Sequence, residues 1–210
     1  MTAQQKWLFW GAGLSALALM VWGYLFWSLS PLPFAALKPL PDEDSVLKYF
    51  RDTQLPTGVY GFPGMVEGQA MSGAFFEKTK AGPVGQIFIR QEGFNPLNPL
   101  HYIGEWIHFF MASLAAGALV LWARPALPTY PLRLGFVVAL SAFAALSIEF
   151  AAPLWWHHAW AFHTLNGLYD VGCGLVSGLV LAWALDPRRS AASPLGEEDA
   201  EAPGEPEESA

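Results

Sequence analysis

Cysteine is almost absent from this 210-residue chain: Cys173 is the only one. An intrachain disulfide is therefore excluded, and so is a structural metal site built on cysteines. Charge is also scarce, at 14% of residues, and no run of Lys and Arg makes a basic patch, which excludes an electrostatic nucleic-acid surface. Several chemical signatures are missing: there is no His-Glu-x-x-His, no Gly-x-x-x-x-Gly-Lys-Ser/Thr, no Cys-x-x-Cys-His and no Gly-x-Ser-x-Gly. The net charge of −7 belongs to one end of the chain. Glu197, Glu198, Asp199, Glu201, Glu205, Glu207 and Glu208 follow Arg189 with no base among them. Eighteen acids less these seven leaves eleven, against eleven Lys and Arg.

What is present is apolar. Hydrophobic residues make up 53% of the chain, with ten tryptophans, the composition of a protein that crosses a lipid bilayer several times. Residues 7–27 carry no charge, and about 20 residues suffice to span about 30 Å of hydrocarbon. A cleavable signal peptide would have a shorter apolar core ending at small residues. This run ends in WGYLFW, so it reads as an uncleaved anchor. Trp7 and Trp10 at one end, and Trp22, Tyr24 and Trp27 at the other, match two interfacial belts.

Three further spans follow, at 102–123, 134–155 and 163–185. Pro125, Pro128 and Pro131 make a stiff connection between the first two, and 157–162 a tight hairpin between the last two. The fold class is thus an all-α membrane protein: four transmembrane helices with a small α+β extracytoplasmic insert between helices 1 and 2. The regions are an anchor (1–29), the insert (30–100), a three-helix bundle (101–186) and an acidic tail (187–210). The tail has almost nothing to bury and reads as disordered.

Within the insert, Pro31, Pro33, Pro39 and Pro41 predict an extended start. Asp42, Glu43 and Asp44 open a short helix, since acids suit a helix N-terminus. Residues 58–62 and 86–90 read as strands, with a second helix over 68–80. So small a unit lies near the lower limit for an independent core, and is expected to lean on the membrane helices or on a partner.

Lys6, Arg124, Arg133, Arg188 and Arg189 all fall on one side of the four-span arrangement, and the hairpin has no base. The excess of Lys and Arg in short loops marks the cytoplasmic side. Both termini are therefore expected in the cytoplasm and the insert outside, in the periplasm for a bacterial inner-membrane protein.

On that outward side lie all five histidines. His101, Glu105 and His108, spaced i, i+4, i+7, form one stripe of the second span; His163, Asn166 and Asp170, spaced i, i+3, i+7, form one on the fourth. Glu149 lies roughly 9 Å inside the end of the third, at 1.5 Å per residue. Ionisable groups in hydrocarbon are costly, so they mark a functional hypothesis by default. Small neighbours, Ala142, Ala145, Ala152, Gly167, Gly174 and Gly178, let these helices approach closely. The Gly174-Gly178 spacing reads as packing within one molecule in preference to a dimer face.

Three readings of this polar cluster compete. Glu105, His108, Glu149, His163 and Asp170 could hold a single zinc, iron or manganese ion, with Asn166 behind them. Against a dinuclear carboxylate site, the second Glu-x-x-His is missing. Alternatively the same residues form a hydrogen-bonded clasp that fixes helix register without any ligand, and the balance favours this reading. A proton or ion path ranks last, because beyond Asp170 only Cys173, Ser177, Ser141, Ser147 and glycines continue it. Trp155, Trp156 and Trp160 read as an interfacial belt, and His157 and His158 as solvated headgroup contacts. The functional expectation is a non-catalytic accessory, assembly or scaffold component that meets the lipid bilayer and a membrane or periplasmic protein. The alternative is a metal-binding membrane enzyme or sensor.

Overall fold

The computed structural model describes residues 2–65 and 72–191. Residues 68–71, the first turn of the expected second insert helix, and the acidic tail from 192 onwards lie outside the described residues. In chain order the elements are α1 (Ala3–Tyr24), α2 (Leu32–Ala36), α3 (Glu43–Thr53), β1 (Gly58–Phe62), α4 (Gly73–Ala81), β2 (Gly85–Ile89), α5 (Pro99–Trp122), α6 (Tyr130–Ala144), α7 (Ala151–Trp156), α8 (Trp160–Ala184) and α9 (Pro187–Ala191). Four helical stretches are long and apolar enough to cross a membrane: Ala3–Leu29, Pro99–Trp122, Tyr130–Trp156 and Trp160–Arg189. The mostly helical class with a two-stranded sheet agrees with the sequence reading.

The chain divides into two compact units. The first comprises 2–29, 99–144 and 169–191. Small residues bring its helices together: Ala12 and Ala16 are fully buried on α1, and beside them the Ser113 hydroxyl of α5 donates to the Ser15 hydroxyl at 2.9 Å. A Cβ on Gly117 would meet Leu8 of α1, and one on Gly178 would meet Leu134 of α6 at 2.9 Å. Gly174 likewise faces Ser141 and the Val137 carbonyl, so the Gly174-Gly178 pair does pack within the chain.

Arg133 closes one end of this unit. It is 1% exposed; its guanidinium donates to the carbonyls of Ala182, Leu127 and Pro128 and to Asp186 at 3.1 Å. A planar fork with five donors meets such a set where an ammonium cannot. Arg133 is thus a staple between the start of α6 and the end of α8, besides any topological weight. Trp22 and Trp27, expected in an interfacial belt, pack on Tyr169, and the Trp22 indole donates to the Tyr169 carbonyl at 3.3 Å. Tyr24 is exposed. The chain beyond α8 also differs from the expectation: Pro187–Ala191 is a short helix, capped where the Asp186 carboxylate accepts from the Arg188 amide at 2.9 Å.

The second unit comprises 30–98 and 145–168. Its start is not extended throughout: Leu32–Ala36 is helical, because proline suits a first helical turn, where its missing N–H would be unpaired anyway. Strands β1 and β2 pair antiparallel, with Val59 opposite Phe88 and Gly61 opposite Gln86. The Gln91 amide donates to the Phe50 carbonyl and ties α3 to the end of β2. The third span is interrupted: Ala145–Glu149 winds as a π turn before α7. Pro153 supplies the cause, since in a regular helix its ring would press on the carbonyl of Glu149, four residues back.

Candidate functional site

In the second unit the π turn ends on Glu149, and its side chain meets His163 on the first turn of α8. His163 is buried, at 8% exposure. Its Nδ1 lies 2.9 Å from Glu149 Oε2, and its Nε2 lies 3.1 Å from His158 Nδ1. His158 Nε2 in turn lies 3.2 Å from Gln86 Oε1, on β2 of the insert. The two imidazole planes lie 23° apart, with centroids 5.2 Å apart. His158 is therefore not a solvated headgroup contact: it links the insert to the third and fourth spans. His157 precedes it in a left-handed conformation, φ 56°, which ends α7 and turns the chain back.

Counting protons along Glu149–His163–His158–Gln86 defines its chemistry. Gln86 Oε1 only accepts, so His158 Nε2 must carry a proton. Three arrangements then satisfy all three bonds. In one, Glu149 is a carboxylate, His163 is protonated on Nδ1, and His158 is protonated on both nitrogens. In the second, Glu149 is a carboxylate, His163 is protonated on both nitrogens, and His158 on Nε2 alone. In the third, Glu149 is a neutral acid donating to His163 Nδ1, and both imidazoles are protonated on Nε2. The three hold the same number of protons and differ only by shifts along the chain. Turning the Gln86 amide over, so that its nitrogen donates, gives a fourth arrangement with one proton fewer. In each case every nitrogen of the two imidazoles has a hydrogen-bond partner.

The remaining candidates divide between the two units. Glu105 and Asp170 belong to the first unit, and Glu149 and His163 to the second. Beside Gly23, a Cβ would meet both Tyr169 Oη and Glu105 Oε1, at 3.3 and 3.7 Å. His108 and Asp170 line a cavity of about 260 Å³ in the first unit, together with Ser113, Ser141, Cys173 and Ser177. Within it the Ser177 hydroxyl donates to the Cys173 carbonyl at 2.7 Å. Asn166 makes no side-chain hydrogen bond among the described residues. Of the six residues expected to be buried together, His163 alone is buried, while His108 is exposed.

Among the described residues no group of three or more His, Cys, Asp and Glu side chains is placed to hold a metal ion. Gln86, His158, Ser113 and Tyr169 were not expected as partners. His158 alone carried a signal, its adjacency to the hairpin; Gln86 lies 72 residues away in sequence. In comparisons with family models, curated proteins and solved structures, nothing matches this chain.

Proposed function

We propose that this chain is a non-catalytic accessory or scaffold component of the cell's inner membrane, with both termini in the cytoplasm and the insert presented outside to a protein partner. The observation that carries this reading is the state of the insert. Among its described residues only Pro33 is buried, yet Val59 and Phe88, opposite each other on one sheet face, are 58% and 72% exposed. An apolar pair held open on an insert with so little buried is the mark of a surface awaiting a partner. The histidine chain supports the same reading, because Gln86 and Phe88 share β2, so fixing Gln86 fixes the strand that carries the apolar pair.

Mild crosslinking in native membranes tests it. A crosslinked partner is expected for the wild-type chain and is expected to be lost in Val59→Ser with Phe88→Ser. A monodisperse wild-type protein that crosslinks to nothing refutes the reading. A stoichiometric transition metal in the purified protein would refute it in favour of a metal-dependent sensor or enzyme.

A further inference from the structure

An open groove of about 530 Å³ runs along α1 in the first unit. Its walls are Trp10, Gly11, Leu14 and Leu17 on α1 and Trp106 on α5, with Trp7 and Trp183 at its end. Lys6 lines that same end. Arg189 stands beside it, its guanidinium 4.0 Å over the Trp183 ring. Trp183 in turn meets Trp7 edge-on, with centroids 6.2 Å apart. Among the described residues neither Lys6 nor Arg189 has a carboxylate partner. Arg133, by contrast, is fully committed to Asp186 and backbone carbonyls.

We propose that this groove binds one anionic phospholipid, with an acyl chain lying along Gly11–Leu17 and the headgroup phosphate held by Lys6 and Arg189. Length and charge argue for this occupant. From Lys6 to Leu17 is eleven residues, roughly 16 Å at 1.5 Å per residue. That is the depth of one leaflet, about half of a 30 Å hydrocarbon core. The cations sit at one end only, where a headgroup would lie, and the rest of the groove is apolar and aromatic. Basic pockets between spans at the cytoplasmic face take anionic headgroups. The proposal rests on the four helices crossing a bilayer, which alkaline carbonate extraction tests separately: release of the chain would refute the spans, whatever the groove binds.

Native mass spectrometry of the full chain tests the site, with equal amounts of dioleoyl phosphatidylglycerol and phosphatidylcholine added. Retention of phosphatidylglycerol is expected to exceed that of phosphatidylcholine by at least about fivefold, the scale of one basic residue at an anionic surface. Lys6→Gln with Arg189→Gln is expected to bring the ratio near one. Gly13→Leu keeps both cations but fills the groove, since a Cβ there meets only Trp106, at 3.9 Å; it is expected to abolish retention of either lipid. A wild-type ratio near one overturns the proposal. So does a preference unchanged in either variant, which would mean surface charge without a groove. Should a variant fail to fold, tryptophan quenching in the wild-type chain by the same two lipids with brominated acyl chains decides. Stronger quenching by the anionic lipid is expected, and equal quenching overturns the proposal.

Discussion

His163 carries two hydrogen bonds on one imidazole, and each of its neighbours depends on it differently. His163→Ala would leave the Glu149 carboxyl, 18% exposed, without its partner and cut His158 from the third span. Removing one member of a mostly buried polar pair is expected to cost about 2–3 kcal/mol. Glu149→Gln keeps an oxygen that accepts from Nδ1 and is expected to cost under about 1 kcal/mol. Thermal unfolding of both variants in detergent checks the order; equal costs would mean that the carboxylate charge matters more than the bond. Glu92 offers a separate test in the insert. The Thr57 hydroxyl donates to its carboxylate at 2.7 Å, and with its own backbone and Arg90 holds its pKa below the ordinary 4.5. A lowered folded-state pKa gives stability that is present above the unfolded value and lost as pH falls through the folded one. Thr57→Ala is expected to return the Glu92 titration, followed by carboxyl NMR, towards 4.5 and to flatten the insert's stability loss in acid.

At the scale of elements, hydropathy and helix-end signals located every span to within a few residues, because length and apolar content dominate there. The strand over 58–62 was legible as written, since turn residues bound it on both sides. The π turn was not, although its cause lies in the chain: Pro153 follows Glu149 by four residues. Pro153→Ala would restore an N–H able to bond the Glu149 carbonyl and let the third span run as regular helix. Dropping the extra residue of a π turn rotates what precedes it by about 100°. Glu149 would then turn from His163. The expected sign is a loss of coupling: His163→Ala should cost about 2–3 kcal/mol in the wild-type chain but under about 0.5 kcal/mol in the Pro153→Ala background. A cost that persists in that background would show that the π turn does not place Glu149. Arg133 was legible only as one more base on one side of the spans; that it meets Asp186 and the Ala182 carbonyl depends on contacts 53 and 49 residues away in sequence.

For the whole molecule, the sequence bears on orientation through the distribution of five bases, of which Arg133 is also a packing residue. In the proposed topology Lys6, Arg124, Arg188 and Arg189 fall opposite the insert. With Arg133 they are the bases of the short loops, and the hairpin has none. A single cysteine makes this directly testable, because Cys173→Ser gives a thiol-free chain in one step. In that background Ala74→Cys on α4 and Thr129→Cys in the connection before α6 are both exposed positions on opposite sides of the proposed membrane. In intact cells, a membrane-impermeant maleimide is expected to label the first and spare the second until the membrane is opened. The reverse pattern would put the bases outside and the insert in the cytoplasm. It would also move the Lys6 end of the groove to the outer leaflet, away from the anionic surface of the cytoplasmic one. Labelling of both before lysis would mean that α5 does not cross the bilayer, since α4 and Thr129 lie on either side of it in the chain.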